Sequence, residues 1–251
     1  YFENVSDFPA PTLKDPSTNF QAVLFTGTGS SRSVTNDGNS DMQPDIIWIG
    51  AISDAYNKGV FDAARGVQKE LQFNSTASKT TLTAGISAFD SDGFSFNGTN
   101  YNTNTYTFVA WQWAAGNSGS SNTAGTINTT TTFVDATAGI SISTYTGNGS
   151  DDATIGHGLG VTPAAVWVFP RSNGDHHLTS NWETGVSAFT EKLKLNDTEA
   201  PSSSSTQIKG ASSTTVTFGT DPGINGDTRT YVAYAFAEVS GFSKFGTYTG
   251  N

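Results

Sequence analysis

Pro44-Asp45-Ile46-Ile47-Trp48-Ile49 decides the fold, because its pattern returns later in the chain as Pro163-Ala164-Ala165-Val166-Trp167-Val168. Each copy is a short run that is apolar on both faces and follows a proline, as buried central strands do after a turn. A central strand that occurs twice predicts a sheet that occurs twice.

Three more pairs of segments recur in the same order, and the offsets of all four pairs stay between 119 and 123 residues. These pairs are Phe25-Thr26-Gly27-Thr28-Gly29-Ser30 with Tyr145-Thr146-Gly147-Asn148-Gly149-Ser150, Leu71-Gln72-Phe73-Asn74-Ser75-Thr76 with Leu193-Lys194-Leu195-Asn196-Asp197-Thr198, and Phe108-Val109-Ala110-Trp111 with Tyr231-Val232-Ala233-Tyr234. Self-similarity at a fixed period is the signature of a duplicated unit. We therefore predict two copies of one domain, at residues 20–117 and 138–240.

The segments outside the two copies have their own signals. Residues 1–19 are predicted to be an N-terminal extension, and residues 118–137 a Gly/Ser/Thr linker whose β-branched run at 129–132 could form an edge strand. Residues 241–251 are predicted to be the start of a third unit or a closing strand, because Tyr248-Thr249-Gly250-Asn251 repeats Tyr145-Thr146-Gly147-Asn148. The missing initiator Met agrees with a processed chain or a piece of a longer one.

The periodicity inside each copy is that of strands. Short apolar segments separated by Gly, Asn and Ser turns predict an all-β chain, built as two tandem antiparallel β-sandwiches of a jelly-roll or concanavalin-like type. Residues 60–71 carry the one helical stripe, which Gly66 interrupts, and a pair of strands fits that segment equally well.

The composition excludes several classes of function. A net charge of -10 and a pI near 4.5 repel phosphate backbones, so nucleic acid is not expected as a partner. The lack of cysteine removes disulfides, thiol nucleophiles and zinc sites of the Cys type. No run of about 18 apolar residues is present, so no membrane insertion is expected.

The candidate carbohydrate-binding residues are Trp182, His176 and His177. Trp182 has no aromatic counterpart in the first copy, and an exposed indole can stack on a sugar ring. Adjacent histidines on an extended chain point in opposite directions, which argues against chelation of a metal by the pair.

The other tryptophans are better explained by packing. Trp111 and Trp113 share one face of a strand, but their counterparts in the second copy are Tyr234 and Phe236. A face that is aromatic in both copies favours core packing over a ligand platform. Trp48 and Trp167 match each other and are also predicted to lie in the core.

Asp90 and Asp92 form the candidate metal site, a calcium loop in Asp90-Ser91-Asp92-Gly93. An Asp-Gly hairpin turn explains the same residues, and the full calcium-loop signature is absent. The second copy carries Ser212 and Thr214-Thr215 there, so no cofactor is required by the fold, and calcium is the one alternative. Asp151-Asp152 is a weaker case of the same kind.

No catalytic constellation stands out. Gly156-His157-Gly158 lacks a serine nucleophile and is interpreted as a connector between strands. No pair of acidic residues is singled out for glycoside cleavage. We predict that the protein is not an enzyme.

The repeated residues resemble a tandem module of virion structural proteins, particularly tail fibre and appendage proteins of marine tailed bacteriophages. The resemblance is carried by Tyr1-Phe2-Glu3-Asn4-Val5, the Thr-Gly-x-Gly elements at 26–29 and 146–149, Gln43-Pro44-Asp45-Ile46-Ile47-Trp48-Ile49, Phe61-Asp62-x-x-Arg65-Gly66, Phe89-Asp90-Ser91-Asp92-Gly93-Phe94, Tyr106-x-Phe108-Val109-Ala110-Trp111-x-Trp113, Gly156-His157-Gly158-Leu159-Gly160-Val161 and Gly241-Phe242-Ser243-Lys244-Phe245-Gly246. Two of these elements, at 61–66 and 89–94, are missing from the second copy.

The resemblance implies a lectin-like sandwich fold and a non-enzymatic structural role at the virion surface, outside the cell. It implies other virion proteins as partners, a homo-oligomer that is trimeric by analogy with other phage fibres, and host surface glycans as a further partner. A lectin-like adhesin or surface protein of a cell is the main alternative, and a glycan-degrading enzyme is the less favoured one.

Overall fold

The computed structural model of the protein describes residues 11–76, 80–172, 178–181, 193–200 and 204–246. In these residues the regular structure is almost entirely β, which confirms the all-β prediction. Two single turns of helix accompany the strands, a 3-10 turn at Pro16–Thr18 and α1 at Pro222–Asn225. The strands pair antiparallel throughout the described ranges.

The first part of the chain forms one large and one small sheet. Its strands are β1 (Phe20–Thr26), β2 (Arg32–Val34), β3 (Ile46–Ala51), β4 (Gly59–Asp62), β5 (Lys69–Gln72), β6 (Thr80–Thr81), β7 (Ile86–Phe89), β8 (Phe94–Phe96) and β9 (Thr107–Trp113). The large sheet has the order β1-β9-β3-β4-β5-β6, and the small sheet has the order β2-β8-β7.

The second part repeats this plan with two added strands, β10 and β11, and without a counterpart of β6 in the described residues. Its strands are β10 (Gly119–Ser120), β11 (Thr131–Asp135), β12 (Ile140–Thr146), β13 (Ala153–Gly156), β14 (Ala165–Pro170), β15 (Leu178–Asn181), β16 (Leu193–Lys194), β17 (Ile208–Ala211), β18 (Thr215–Phe218) and β19 (Thr230–Phe236). The large sheet has the order β10-β11-β12-β19-β14-β15-β16, and the small sheet has the order β13-β18-β17.

The two large sheets share one strand order, because β1-β9-β3-β4-β5 corresponds in position to β12-β19-β14-β15-β16. Each pair of recurring sequence segments lies at equivalent strands of the two sheets. The segment at 44–49 leads into β3 and its counterpart at 163–168 leads into β14, while 108–111 lies in β9 and 231–234 in β19.

Each large sheet faces its small sheet across an apolar interior. Alternate residues of a strand point to opposite faces, so Ile47 and Ile49 of β3 enter the first interior with Phe108 of β9. Val166 and Val168 of β14 enter the second interior in the same way. Each of these two clusters is therefore lined by one large and one small sheet.

A third cluster lies between the two large sheets. Their remaining faces pack against each other and bury Ile46 and Val60 from one sheet with Ile142, Val232 and Phe236 from the other. The large sheets are therefore covered on both faces, and the described residues form three apolar clusters.

The segment at 60–71 forms a pair of strands and not a helix. Val60 in β4 pairs with Leu71 in β5, and the turn between the strands includes Gly66 at a φ of 84°. Glycine readily adopts this left-handed conformation. The turn at Gly66 therefore separates two strands, although the apolar residues of 60–71 have helical spacing.

The predicted linker contributes to the second large sheet. β11 pairs with β12 over its whole length, and β10 adds an outer strand to β11. Part of the 129–132 run thus lies in a strand, as its β-branched composition suggested, and residues 118–137 are only partly connector.

The repeated Thr-Gly-x-Gly element has a physical cause. A Cβ at Gly27 would collide with the carbonyl oxygen of Thr103, and a Cβ at Gly147 would collide with that of Gly226. The equivalent Gly29 and Gly149 hold φ values of 70° and 67°. The glycines therefore permit a close approach of two backbone segments in each part of the chain.

A buried asparagine fastens this loop in each part. Asn102 accepts a hydrogen bond from Thr28 N at 3.1 Å and donates Nδ2 to Ser30 O at 2.6 Å. Asn225 accepts from Asn148 N at 3.0 Å and donates Nδ2 to Ser150 O at 2.8 Å. Sequence reasoning missed both residues, although they are separated by the same offset as Trp111 and Tyr234.

Replacing Trp48 by Ala tests whether the third cluster is part of the cooperative core. Trp48 stacks on Phe73 at a ring-centroid distance of 4.2 Å and meets Trp167 at 6.4 Å. We expect Trp48→Ala to lower the free energy of unfolding by about 3 kcal/mol, measured by urea denaturation. Val161→Ala, at a position 52% exposed, is the matched control with an expected change within about 0.5 kcal/mol. Equal small losses in both variants would contradict this role.

Candidate functional site

The interface between the two large sheets contains an ion pair whose two side chains are completely buried. Arg65 Nε donates to Asp62 Oδ2 at 2.5 Å, and both side chains have an exposed fraction of 0%. Tyr234, from the opposite sheet, donates its hydroxyl to the same Asp62 Oδ2 at 2.5 Å. We call Asp62, Arg65 and Tyr234 the ion-pair cluster.

The local sequence explains how the pair forms. Asp62 ends β4, and its Oδ1 accepts from Arg65 N at 2.9 Å, which closes a short turn three residues long. The guanidinium then reaches two backbone carbonyls, Lys69 O at 2.9 Å and Val60 O at 3.0 Å. The sequence motif at 61–66 therefore encodes a turn and its ion pair together.

Burial decides the protonation of the cluster. Burial raises the pKa of Tyr234 well above its ordinary value, so the hydroxyl keeps its proton and donates a hydrogen bond to Asp62. Burial alone would lower the pKa of Arg65, but the charge of Asp62 overcomes this, and the pKa of Arg65 is raised. The cluster is a charged pair closed by a neutral phenol, an arrangement that ties two sheets together.

Aromatic rings pack beside Tyr234 of the ion-pair cluster. The ring centroid of Phe169 lies 5.5 Å from that of Tyr234 and 5.8 Å from that of Phe73. The ring centroids of Trp167 and Phe236 are 4.8 Å apart. The cleft among these rings is wholly apolar and has a volume of about 10 Å³. A space of that size is at the lower limit for one water molecule, so it is too small for an organic ligand.

Trp111 and Trp113 lie on this side of the first large sheet and not in the first interior. Both are half-buried, Trp113 packs against the third cluster, and Trp111 lies 5.4 Å from Trp48. Their predicted packing role fits these contacts, of Trp113 with the third cluster and of Trp111 with Trp48 of the same sheet. Their counterparts Tyr234 and Phe236 are buried.

Two other buried carboxylates also serve internal bonds. Asp45 Oδ2 accepts from Ala115 N at 2.6 Å and from Asn117 N at 2.9 Å, and burial raises the pKa of Asp45. Glu70 accepts a short hydrogen bond from the hydroxyl of Tyr101, whose pKa is raised by burial and by the nearby carboxylate. These acids hold loops and strands in place.

The predicted calcium residues lie in a hairpin turn between β7 and β8. Asp90 Oδ2 accepts from Ser95 Oγ at 2.6 Å, and Asp92 Oδ1 accepts from Met42 N at 3.3 Å. Gly93, at a φ of 92°, supplies the left-handed turn residue. The turn interpretation accounts for these bonds, and calcium at Asp90 and Asp92 stays a prediction.

Asp151 and Asp152 meet a lysine at the surface. Lys209 Nζ lies 2.9 Å from Asp151 Oδ1 and 2.6 Å from Asp152 Oδ1. The hydrogen bond from Lys209 lowers the pKa of Asp151. The ammonium group takes the place that a cation would occupy. Within the described ranges no group of three His, Cys, Asp or Glu side chains is placed to hold a metal.

The predicted carbohydrate-binding residues Trp182, His176 and His177 lie outside the described residues, and their role stays a prediction. The remaining histidine, His157, is buried after β13. Its Nδ1 accepts from Leu159 N at 3.1 Å, which assigns the Nε2 proton to the 3.3 Å contact with Ser212 O. Burial lowers the pKa of His157, so the neutral ring connects two loops, in agreement with the predicted connector.

Comparisons with known proteins give one match. The model of a family described as "Domain of unknown function (DUF7483)" matches residues 15–251. No curated protein and no solved structure matches the chain. In the part of the chain that the structure describes, no helix has the length and apolar character needed to cross a membrane.

The ion-pair cluster predicts a strong coupling between its two charged members. Asp62→Asn and Arg65→Met each leave one buried charge unpaired, so each should lower the free energy of unfolding by about 3–5 kcal/mol. The double variant leaves no buried charge. Its loss in free energy of unfolding should be clearly smaller than the sum of the two single losses, as measured by a double-mutant cycle in urea. Tyr234→Phe, which removes one hydrogen bond, should cost about 1–2 kcal/mol and remains measurable if a single charge variant fails to fold. Strict additivity would contradict the coupling.

His157 predicts a loss of stability in mild acid. Its pKa in the folded protein lies below the ordinary value of 6.5, so the unfolded chain binds the proton more readily. The stabilisation is complete above about pH 6.5 and declines as the pH falls toward the folded pKa. Denaturation at a series of pH values should show this decline in the wild type and a flatter profile in His157→Gln. An unchanged slope in His157→Gln would show that other groups cause the decline.

Proposed function

The chain belongs to the family described as "Domain of unknown function (DUF7483)", and we propose that it is a non-enzymatic structural protein of a phage virion appendage. The appendage would be a tail fibre, a spike or a projection from the capsid surface. The proposal places the protein outside the cell, in contact with other virion proteins.

The observation that carries the proposal is the contact between the two large sheets. A structural projection must transmit force without bending, and here both parts of the chain are joined by a layer of interlocked rings. Trp48, Phe73 and Trp167 meet across this layer, and Tyr234 reaches Asp62 through it. Close packing of this kind resists relative movement of the sheets, and it needs no disulfide bond.

The proposal includes the finer description of the fold. We propose two tandem antiparallel β-sandwiches of a jelly-roll or concanavalin-like type, at residues 20–117 and 138–240. The common strand order of the two large sheets supports it, as does the presence of a small sheet over each. β10 and β11 would then extend the large sheet of the second sandwich beyond the predicted boundary at residue 138.

The proposed partners follow from the same assignment. Self-association is expected, as a trimer by analogy with other phage fibres, and recognition of host surface glycans is a compatible second role. The buried carboxylates described above bond to backbone and tyrosine groups, which favours a structural role over glycan cleavage. A lectin-like adhesin of a cell remains the main alternative.

Analysis of purified virions tests the proposal. The chain should co-sediment with infectious particles through a density gradient and stay bound after a high-salt wash, as quantified by mass spectrometry. A labelled antibody raised against the chain should mark one appendage in electron micrographs. Recovery of the chain only from cell envelopes would favour the adhesin, and its absence from washed particles would overturn the proposal.

A further inference from the structure

β1 differs from its counterpart β12 in what covers it. β12 is a seven-residue strand between β11 and β19, whereas β1, also seven residues long, is paired only with β9 in the described residues. The same sheet position is thus internal in one part of the chain and an edge in the other.

The backbone of β1 presents a row of hydrogen-bonding groups to the outside. Ala114 N donates to Asn19 O and Gly27 N donates to Tyr106 O, which shows that the odd-numbered residues of this segment face β9. The even-numbered residues Phe20, Ala22, Leu24 and Thr26 therefore direct their N–H and C=O groups away from the sheet. In β12 the equivalent Ile140, Ile142 and Thr144 pair with β11.

On the face of β1 that points away from the first interior, most side chains are also uncovered. Leu24 is 71% exposed, and Ala22 is exposed beside it, whereas the equivalent Thr144 is buried. Edge strands of soluble proteins are commonly protected by charges, proline or bulges. β1 contains no charge and no proline, and its pairing with β9 runs without a shift of register.

We propose that β1 is a self-association edge that pairs antiparallel with β1 of a second copy of this chain. A two-fold axis through the strand centre would pair Ala22 with Leu24 of the partner subunit and Phe20 with Thr26 of the partner subunit. All four outward-facing residues then gain backbone partners, and the two exposed leucines pack beside the alanines on one face. The Thr26 carbonyl, which accepts Arg32 Nη1 at 2.7 Å, retains a second lone pair for the new strand.

The pairing of β11 with β12 supports a second β1 strand as the partner. β12 is the counterpart of β1, and its outer edge is covered by an added antiparallel strand, β11. β1 is self-complementary in an antiparallel sense, because it is uncharged and its outward-facing groups alternate evenly. The contact goes beyond the proposed function, which expects self-association, as a trimer by analogy, and assigns no surface to it. A two-fold contact at β1 closes at two subunits, so it predicts a dimer in place of the trimer.

Sedimentation velocity of the full chain and of two edge variants tests the contact. Leu24→Lys puts a charge on the exposed face without entering the interior, and Ala22→Pro removes an N–H that points away from β9. The wild type should form a dimer, and either variant should raise the dissociation constant by about tenfold or more. Val161→Lys, a change of the same kind at another exposed apolar site, should leave the dimer unchanged. Because each chain carries a net charge of -10, added salt should strengthen the wild-type dimer.

A disulfide experiment fixes the register. The chain has no cysteine, so an Ala22→Cys/Leu24→Cys variant should form a covalent dimer on mild oxidation, while Leu24→Cys alone should crosslink poorly. A monomeric wild type, a trimer unaffected by Leu24→Lys, or equal effects of Leu24→Lys and Val161→Lys would overturn the proposal. Loss of dimerisation in the edge variants with continued incorporation into virions would separate this contact from the proposed function.

Discussion

The contact between the two large sheets governs the rest of the structure, because it determines which faces may be apolar. In a sheet with one solvent-exposed face, apolar and polar residues alternate along each strand. β3 and β14 are instead apolar on both sides. Each of these strands serves a small sheet on one face and the opposite large sheet on the other. Trp48 and Trp167, at equivalent positions of the two sheets, meet across this second face.

The ion-pair cluster gives this apolar contact a defined alignment. Packed rings tolerate small shifts with little loss of energy, but a buried carboxylate that receives both a guanidinium and a phenol does not. Because Asp62 and Arg65 come from one sheet and Tyr234 from the other, sliding of the sheets would leave a charge without its hydrogen-bond partner. The cost of that loss would keep the two parts of the chain at one relative position.

Much of the fold could be predicted from the sequence, and the limits have physical causes. The recurring segments identified β3 with β14 and β9 with β19, because the same strand in the same surroundings needs similar side chains. The sequence could not predict toward which face of the sheet each tryptophan points. When a strand is apolar on both sides, its residue pattern does not indicate which surface packs on each side. At 60–71 a stripe of apolar residues fitted a helix as well as two strands, and Gly66 at a positive φ decides between them. The partner of Asp62 and Arg65 lies about 170 residues away, and only the folded chain brings Tyr234 to them.

Tyr234 and Trp111 occupy equivalent positions of the two large sheets but carry different rings. The phenol meets the carboxylate of Asp62, whereas the indole lies against Trp48. The two halves of the chain are therefore complementary and cannot be exchanged for one another. A hybrid built from two first halves would set the indole of Trp111 against the ion pair, and no phenol would donate a hydrogen bond to Asp62. The two sides of the interface are therefore chemically unlike, and a substitution on one side changes what the other side must supply.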